Sequence, residues 1–596
     1  MKSVLLCSLA FVASAVMLTV IGPPFGAVWL AWVAWVPFIV ACSPATIVAR
    51  RSSLVSRVTG HESRVTGQSS WTLCLISYIV GACYWLGNLY WVAPVTIIGW
   101  VAFCLYTALL WPMLAFGLRY CRLRKIPLVL AVPVLIVGAE RLQGLFLGGF
   151  LWRHLSHSQY ANITLIQIAD IFGAAGVSFL IAMVNGLVAE LILDARCWKS
   201  VFKISNLLKI GLVCAVLAAA VVYGRWRVEQ SEEVVKAGPL VGSLQSNVPQ
   251  SVKRSFQQSD RIFAELMGKS RAAAAAGAEL VIWPETMVQA TIEPAVLGLL
   301  DASHSYRVFD RALSEHAKDT AFVLVGAYGG RPEIKEDMTI HLPKRYNSAF
   351  LYGSDGRQSD KQYHKIHLVP FGEFVPFRKR LPVLFNLLMK FTPYNYDYSL
   401  DAGSEYTVFD MTSGRGLQER TYRFSVMICY EDTVPAIARR FTLDDAGRKR
   451  LDWLVNISND GWFVRFKNGN VFASTELVQH TAVCVFRAVE NRLSVVRSVN
   501  TGISCLIDSV GRVRDGFTAG DLPSQAMARR AVAGWFVDRV PIDERTTFFS
   551  RYGQWLDFCC AIGFVLAIIV PLWESRQVGI QRQKVSRLSR DQRNAN

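Results

Sequence analysis

The segment Val426-Met-Ile-Cys-Tyr-Glu-Asp432 predicts a buried β-strand that ends in a thiol followed at once by two carboxylates. Its first three residues are apolar, which is typical of a strand in the interior of a layered domain. A thiol at the end of such a strand, beside acidic side chains, is a candidate nucleophile. Cys429 is therefore the first candidate catalytic residue of the chain.

Two other charged residues occupy comparable positions near the ends of predicted strands. Glu285 follows the apolar run Leu280-Val-Ile-Trp283 and a proline, and Lys365 ends a strand that leaves the turn Gly353-Ser-Asp-Gly356. A buried carboxylate can take the thiol proton and return it to a leaving group, and an ammonium can stabilise a tetrahedral oxyanion. The Lys365 ammonium, and a helix predicted to begin just after Cys429, are expected to favour the thiolate.

Strands and helices alternate around these residues, between about residues 235 and 545. This alternation predicts an α/β layered domain. Predicted strands lie at 239–245, 280–283, 322–326, 347–352, 424–429, 453–458, 495–498 and 504–507, and predicted helices at 259–276, 434–441 and 474–491.

The composition indicates that another part of the chain lies in a lipid bilayer. The 596 residues are 52% hydrophobic and have a mean hydropathy of +0.30, which is high for a soluble protein. A helix that crosses a bilayer needs about 20 predominantly apolar residues. Eight such runs are predicted to span the membrane, at about 4–21, 25–42, 72–91, 94–117, 127–147, 167–190, 207–223 and 555–573.

Basic residues cluster in the connections that would lie on one side of this membrane. These loops and the C-terminal tail carry most of the formal net charge of +18. Because positively charged loops stay in the cytoplasm, both termini are predicted to face it. The basic balance is thus an orientation signal, and nucleic-acid binding loses its support. The positions are Lys2, Arg50, Arg51, Arg57, Arg64, Arg119, Arg122, Arg124, Lys125, Arg196, Lys199, Lys203, Lys209, Arg576, Arg582, Lys584, Arg587, Arg590 and Arg593.

The predicted topology divides the chain into four parts. Residues 1–223 form a membrane domain of about seven spans, and residues 224–550 form a catalytic domain on the opposite side, which is the periplasm in a bacterial cell. Residues 551–574 contain the last span, and residues 575–596 form a basic cytoplasmic tail.

The first apolar run also has the features of a cleavable signal peptide. Lys2, the apolar run and Ala13-Ser-Ala15 fit that pattern. Charge counting leaves this alternative open, because cleavage would not change the later topology. We expect a retained span, since the turn at 21–26 leads directly into the second run.

Cysteine usage gives no sign of a disulfide framework or a metal site. Of 13 cysteines, only Cys429, Cys484 and Cys505 lie in the predicted catalytic domain, without the short spacings of metal ligands. Cys484 and Cys505 lie inside apolar runs and are expected to be core residues. Free cysteines on the oxidising, periplasmic side of the membrane are at risk of oxidation, so each is expected to be either buried or required for function.

Long motifs surround each candidate catalytic residue. They are Trp283-Pro-Glu285, Arg345-Tyr-Asn-Ser348, Tyr363-His-Lys365, His367-Leu-Val-Pro-Phe-Gly-Glu-Phe-Val-Pro376, Cys429-Tyr-Glu431, Asn456-Ile-Ser-Asn-Asp-Gly-Trp-Phe463, Arg487-Ala-Val-Glu-Asn-Arg492 and Asn500-Thr-Gly502. Together these motifs resemble the apolipoprotein N-acyltransferase family, the membrane-bound branch of the nitrilase superfamily. The resemblance covers nearly the whole chain, and the ten-residue run is its most specific part.

The resemblance implies a fold, a reaction and its partners. The catalytic domain would be a nitrilase-like α-β-β-α sandwich joined to a polytopic helical membrane domain of about eight spans. The reaction would be a two-step ping-pong acyl transfer at the outer face of the bacterial inner membrane, through a Cys429 thioester. The donor would be a phospholipid, typically phosphatidylethanolamine, and the acceptor the α-amine of a diacylglyceryl-cysteine on a lipoprotein. It implies no cofactor and no metal.

Carried over residue by residue, the resemblance assigns the base to Glu285, the lysine to Lys365 and the nucleophile to Cys429. Glu373 and Glu431 match additional functional carboxylates. Of these, Glu373 is expected to orient Lys365 or Glu285.

Two aromatic residues match positions near the acyl site. These residues are Tyr430 and Trp462. Trp462 and the segment 371–377 are expected to form the walls of a cleft for the acyl chain. The alternative is that they are ordinary packing residues. The chain departs from the family pattern at Val464, where a glycine is usual, and at Arg254, where an aromatic is expected. Neither departure touches the three principal residues.

Two alternatives of different classes remain open. A membrane-tethered amidase of the same superfamily could use the same Glu, Lys and Cys. A non-enzymatic membrane protein with a decayed domain is the other. The intact set of residues argues against decay, and the eight apolar runs argue against amide hydrolysis, which needs no bilayer.

Overall fold

The computed structural model of the chain describes residues 2–43, 70–145, 149–195, 202–253, 258–318, 320–336, 340–378, 381–390, 392, 397–414 and 419–594. Several sequence-based predictions concern positions outside these ranges, namely Arg50, Arg51, Arg57, Arg64, Arg196, Lys199, Arg254 and the end of the fifth predicted span. The described residues form a helical N-terminal part, an α/β region after it, and a long C-terminal helix.

The N-terminal part is helical because its apolar runs are long and contain few charges, so a helix satisfies all backbone groups while exposing apolar side chains. Its helices are α1 (Lys2–Val20), α2 (Val36–Cys42), α3 (Ser70–Asn88), α4 (Ile97–Ala108), α5 (Leu110–Leu123), α6 (Leu128–Gln143), α7 (Ile163–Ile166), α8 (Ala169–Phe172), α9 (Ala174–Asp194) and α10 (Ile204–Val234). Short 3-10 turns occur at Val28–Trp32, Tyr90–Val92 and Leu155–Gln159.

Four helical stretches among the described residues are long and apolar enough to cross a bilayer. They are Ile97–Leu123, Ala174–Asp194, Ile204–Val234 and Trp555–Glu574. The predicted span at 25–42 falls on the apolar stretch Val28–Cys42, in which the 3-10 turn Val28–Trp32 is followed by the separate helix α2. Pro37 in the first turn of α2 lacks the N–H that a continuous helix would require.

The α/β region contains three sheets among the described residues. Its strands are β1 (Lys236–Gln245), β2 (Leu280–Ile282), β3 (Phe322–Ile334), β4 (Ile340–Tyr352), β5 (Gln358–His364), β6 (Phe409–Ser413), β7 (Arg420–Ile428), β8 (Trp453–Ser458), β9 (Arg465–Lys467), β10 (Asn470–Phe472), β11 (Ser494–Val499), β12 (Cys505–Ile507), β13 (Ala519–Gly520) and β14 (Gly534–Ile542). The seven-stranded sheet has the order β13-β14-β1-β2-β3-β4-β5, the five-stranded sheet has the order β12-β11-β8-β7-β6, and β9 pairs with β10.

The central strands of both larger sheets run parallel. In the first sheet β1, β2 and β3 are parallel neighbours, and in the second β7, β8 and β11 are. Their residues are buried apolar runs, as expected of strands covered on both faces. The helices of this region are α11 (Gln250–Lys253), α12 (Ser259–Ala275), α13 (Pro294–Leu297), α14 (Ser305–Ala317), α15 (Pro382–Met389), α16 (Pro435–Thr442), α17 (Glu476–Asn491), α18 (Phe548–Tyr552) and α19 (Trp555–Asn594).

Hydrogen bonds join the two larger sheets across their interior. The Ser498 hydroxyl in β11 lies 2.9 Å from the carbonyl oxygens of both Leu244 and Ile282. The Ser243 hydroxyl in β1 donates to the Arg497 carbonyl at 2.8 Å. These bonds hold the end of β2, and therefore the residues that follow it, against the sheet that carries Cys429.

A buried ion cluster joins the helical part to the α/β region. Asp170 in α8 accepts from Arg227 Nε in α10 at 2.8 Å and from Arg492 Nη2, just after α17, at 2.7 Å. Tyr223 donates to the same carboxylate at 2.7 Å. Because a buried carboxylate is costly without partners, this cluster fixes the orientation of the α/β region on the helices.

The C-terminal helix α19 extends from Trp555 to Asn594. The segment predicted as a basic tail, 575–596, therefore continues the last apolar helix through residue 594.

Candidate active site

Three strand ends bring the predicted catalytic residues into one site. Cys429 follows β7 in the five-stranded sheet, whereas Glu285 and Lys365 follow β2 and β5 in the seven-stranded sheet. Lys365 Nζ lies 3.5 Å from Glu285 Oε1. Both charges act electrostatically on the Cys429 thiol. The face between the two sheets therefore carries a thiol, a carboxylate and an ammonium.

Cys429 has an unusual backbone conformation. Its φ of +52° lies in the left-handed region, which residues other than glycine rarely adopt. It is the first residue of the 3-10 turn Cys429–Thr433, and its carbonyl accepts from Asn456 Nδ2 at 3.2 Å. Such local strain is maintained only where surrounding contacts determine it. The sulfur is thereby held at a sharp strand-to-turn corner.

Lys365 is completely buried, with an exposed side-chain fraction of 0%. Its Nζ lies 2.8 Å from Glu373 Oε2 and 3.5 Å from Glu285 Oε1. Burial lowers the pKa of Lys365, but Glu373 and Glu285 outweigh this effect and raise the pKa above its usual value. The side chain is therefore a permanent ammonium between two carboxylates.

The Glu285 carboxylate is held by one donor at each oxygen. Asn347 Nδ2 donates to Oε1 at 2.6 Å, and the backbone N–H of Asn459 donates to Oε2 at 2.8 Å. The same Asn347 nitrogen donates to Glu373 Oε1 at 2.8 Å. Asn347 thus sets the spacing of the two carboxylates that surround Lys365.

The thiol is protonated at rest. Burial raises the pKa of Cys429 above its usual range and the Glu285 carboxylate raises it further, whereas Lys365 and His480 lower it. The segment after Cys429 is a 3-10 turn, and the predicted helix begins only at Pro435. The prediction that Lys365 favours the thiolate is confirmed in direction, but the loss of water around the buried sulfur and the Glu285 carboxylate outweigh it. Attack by sulfur consequently requires a base.

Glu431 connects the turn after Cys429 to the loop after Lys365. Its carboxylate accepts from the Tyr363 hydroxyl and from the backbone N–H groups of Ile366, His367 and Ile428, at 2.7–3.0 Å. Burial raises the pKa of Glu431 to about 7, although these donors lower it. The carboxylate faces backbone donors, so the geometry assigns it a positioning role.

Tyr430 lies on the side of the site that faces the helical part, and Trp462 lies next to a residue that contacts that part. The Tyr430 hydroxyl donates to the Gly149 carbonyl at 2.8 Å, and its ring stacks on His367 with a centroid distance of 5.9 Å. Trp462 ends the 3-10 turn Asp460–Trp462 and is half-buried. The next residue, Phe463, makes an edge contact with Trp91 at 4.9 Å.

Sequence reasoning missed three polar residues that surround Glu285. Asn347 and Asn459 both lie within motifs of the resemblance, but their type alone gave no sign of the contact. Lys253 is the third, with Nζ at 3.2 Å from the Glu285 carbonyl oxygen. Its position beside the base comes from the fold, since it lies in the separate helix α11.

One buried cluster has the residue types of a metal centre. The ligand atoms of Asp460, Glu476 and His480 lie within 4.8 Å of one another. His480 Nε2 lies 2.8 Å from Asp432 Oδ1, and Nδ1 lies 3.2 Å from Asp460 Oδ1. Burial lowers the pKa of His480, but Asp432 and Asp460 outweigh it and raise the pKa well above its usual value. A charged imidazolium therefore takes the position of a cation, and we assign this cluster as an ion-pair network.

Comparison with known proteins identifies both parts of the chain. The sequence model of the apolipoprotein N-acyltransferase N-terminal domain matches residues 14–187, and that of carbon-nitrogen hydrolase matches residues 240–519. A protein from Geobacter metallireducens named apolipoprotein N-acyltransferase is 30% identical over 583 residues, covering 96% of each chain. A protein of the same name from Bradyrhizobium diazoefficiens is 27% identical, covering 81% of this chain and 79% of the relative. The crystal structure of an amidase from Nesterenkonia sp. covers 52% of this chain and 94% of that chain, at 14% identity and a TM-score of 0.33.

Proposed function

The chain belongs to the apolipoprotein N-acyltransferase family, and we propose that it N-acylates lipoproteins by a two-step transfer through a thioester on Cys429. Lipoprotein N-acylation in a membrane context is the function of the family, and the acceptor is a lipoprotein. One observation carries the proposed mechanism: a buried ammonium lies between two carboxylates at the edge where a protonated thiol ends a strand.

In the first step, Glu285 accepts the proton of the Cys429 thiol while the sulfur attacks an ester carbonyl of a phospholipid. The new C–S bond converts the carbonyl into a tetrahedral oxyanion, which the Lys365 ammonium stabilises. The ester C–O bond then breaks, and Glu285 returns the proton to the departing lysophospholipid alkoxide. Phosphatidylethanolamine is the donor expected from the resemblance.

In the second step, the α-amine of a diacylglyceryl-cysteine attacks the thioester carbonyl. Glu285 takes a proton from the attacking amine, and Lys365 again stabilises the oxyanion. The C–S bond breaks as the amide forms, and the proton passes from Glu285 to the Cys429 sulfur. The thiol that began the cycle is restored.

Restricted access of water favours transfer over hydrolysis. Cys429 is 9% exposed and Lys365 is fully buried. The contact of Tyr430 with Gly149 places the helical part directly beside the site. A thioester in such a place is protected from water until an amine arrives. The amidase alternative has less support, because the matches to N-acyltransferases cover nearly the whole chain.

The proposed topology has eight spans in the bacterial inner membrane, with residues 224–550 facing the periplasm. The four long apolar helices, the shorter ones at Val4–Val20 and Val28–Cys42, and α3 and α6 at the third and fifth predicted runs together support this number. The distribution of basic residues supports the orientation. The hydrogen bonds that join the two larger sheets support an α-β-β-α sandwich for the catalytic domain.

Initial-rate kinetics test the two-step proposal. With phospholipid and a diacylglyceryl lipopeptide both varied, double-reciprocal plots should give parallel lines, and lysophospholipid should appear before the acceptor is added. Intersecting lines would contradict a covalent intermediate. Rapid release of free fatty acid, independent of the acceptor, would make the amidase the better account.

A further inference from the structure

A second lysine lies directly behind the proposed base. Lys253, the last residue of α11, has an exposed fraction of 5%. Its Nζ lies 3.2 Å from the Glu285 carbonyl oxygen and 2.5 Å from Thr286 Oγ1. No ion pair holds Lys253 in the part of the chain that the structure describes. Its ammonium therefore binds the main-chain carbonyl of Glu285 and the hydroxyl of Thr286.

The main chain that Lys253 binds, at Glu285 and Thr286, is strained. Thr286 has a φ of +47°, in a region that a β-branched residue occupies only as an outlier. Gly326 in β3 packs directly against this segment, because a Cβ there would lie 2.6 Å from the Thr286 nitrogen and 2.8 Å from Glu285 Cα. The peptide between residues 285 and 286 is thus fixed from one side by β3, while Lys253 bonds its carbonyl.

The helix α11 also reaches the other end of the Glu285 side chain. Gln250 Oε1 accepts from Asn459 Nδ2 at 2.9 Å, and the Asn459 backbone N–H is the donor to Glu285 Oε2. Gln289 donates to the Lys253 carbonyl at 2.7 Å and fixes the end of the helix. One helical turn thereby contacts Glu285 at its main chain and, through Asn459, at its carboxylate.

We propose that Lys253 is a positioning residue of the acyl transfer, which fixes the main chain at Glu285 and so aims the carboxylate at the Cys429 thiol. This inference rests on the proposed role of Glu285 as the base. A misplacement of a base by about 1 Å can cost two orders of magnitude in rate. The two bonds of Lys253 restrain the group on which that placement depends.

The charge of Lys253 depends on its burial and on Glu285 and Cys429. Burial lowers the pKa of Lys253 to about 7, and the negative charges of Glu285 and Cys429 act in the opposite direction. The ammonium therefore loses its proton as the pH rises through about 7. Loss of the lysine should therefore change the pH profile of the reaction as well as its rate.

The test measures acyl loading of Cys429 by phospholipid, without acceptor, in the full-length protein. Lys253→Met should slow loading by about 10-fold or more, while the final fraction of loaded protein matches the wild type. The pH profile of loading near pH 7 should also change, because the titration of Lys253 is then absent.

Lys449 provides a matched control. Its ammonium donates to the carbonyls of Arg492, Asp543 and Arg545 at 2.5, 2.7 and 2.8 Å, in contacts separate from the proposed catalytic residues. Lys449→Met should load Cys429 at the wild-type rate per folded molecule, with the wild-type pH profile. A wild-type rate and pH profile in Lys253→Met, or equal losses with the wild-type pH profile in both variants, would overturn the proposal.

A second pair of variants covers the case in which Lys253→Met does not fold. Thr286→Ser keeps the oxygen that Lys253 binds, whereas Thr286→Ala removes it, so loading should be slower in Thr286→Ala. Equal rates in the two would overturn the role of this contact. Cys429→Ala separates the test of the proposed mechanism from the test of the lysine. N-acylation by Cys429→Ala would contradict the thioester mechanism, whereas the Lys253 results concern only the positioning of Glu285.

Discussion

Lys365 Nζ lies 2.8 Å from Glu373 Oε2, which is closer than its 3.5 Å distance to Glu285 Oε1. The buried ammonium is therefore paired chiefly with a carboxylate that has no proposed part in proton transfer. Val369 N–H and Asn347 fix the two Glu373 oxygens at 2.8 Å each. This pairing leaves Glu285 available as a base while keeping a cation beside it.

Replacing Glu373 should therefore impair catalysis through Lys365. In Glu373→Gln the ammonium loses its nearer counter-ion and should move toward Glu285, which occupies the base and misplaces the oxyanion donor. Thioester formation should slow by about 10- to 1,000-fold, the range seen when an oxyanion contact is lost. The measurement is the rate of acyl loading per folded molecule.

Asp410→Asn is the control for loss of an ion pair. Asp410 pairs with Lys361 at 2.6 Å, but both side chains are about half exposed. Exposed pairs contribute little, so loading should stay at the wild-type rate. An undiminished rate in Glu373→Gln would show that Lys365 does not depend on this carboxylate.

The reactivity of Cys429 should show that the resting thiol is protonated. Because burial raises the pKa of Cys429, its thiolate fraction is small at neutral pH and grows tenfold per pH unit up to the folded-state pKa. Alkylation by iodoacetamide, followed by mass spectrometry of the Cys429 peptide, should be slow at pH 7 and still rising above pH 9. A rate that levels off below pH 8 would indicate a stable thiolate instead.

The Glu431 carboxylate should matter more for stability than any single donor to it. Glu431→Gln presents an amide N–H₂ to backbone N–H groups of the two loops, which should lower the free energy of unfolding by about 3–5 kcal/mol. Tyr363→Phe removes only the hydroxyl donor and should cost about 1.5–3 kcal/mol. Thermal unfolding in detergent gives the order of the two. A smaller loss in Glu431→Gln than in Tyr363→Phe would refute this connecting role.

The proposed orientation can be tested with reporter fusions. Fusions at about residues 60, 235 and 585 should report cytoplasm, periplasm and cytoplasm, because the basic loops are expected to stay inside. The fusion at 235 is decisive, since β1 begins there and leads into the catalytic domain. A cytoplasmic signal at 235 would overturn both the topology and the proposed access to lipoproteins.

The candidate catalytic residues could be predicted from sequence because of local patterns. Cys429 and Glu285 follow buried apolar runs, Lys365 follows the strand that leaves the turn at 353–356, and the structure brings the three together. The contacts that hold them could not be predicted in this way. Asn347 and Asn459 are 62 and 174 residues from Glu285 in sequence, and only the packing of the two sheets makes them its donors.

Other features could not be predicted because they depend on the folded chain. Lys365 favours the thiolate as expected, but the removal of water around Cys429 outweighs it, and that effect depends on tertiary burial. The break within the second apolar run was not predicted, because hydropathy does not register that Pro37 lies in the first turn of a new helix. Lys253 had no local pattern at all, because its role depends on a strained main chain at Thr286.

Mass spectrometry of the intact protein and of its Cys429 peptide can detect the proposed thioester. After incubation of the purified protein with phosphatidylethanolamine and no acceptor, we expect one acyl mass on the protein, located on the Cys429 peptide, and an equal amount of lysophospholipid. The mass should disappear when a diacylglyceryl lipopeptide is added, with N-acyl product formed in its place. Cys484→Ala should carry the mass, and Cys429→Ala should carry none. An acyl group on another residue, or N-acylation by Cys429→Ala, would contradict the account.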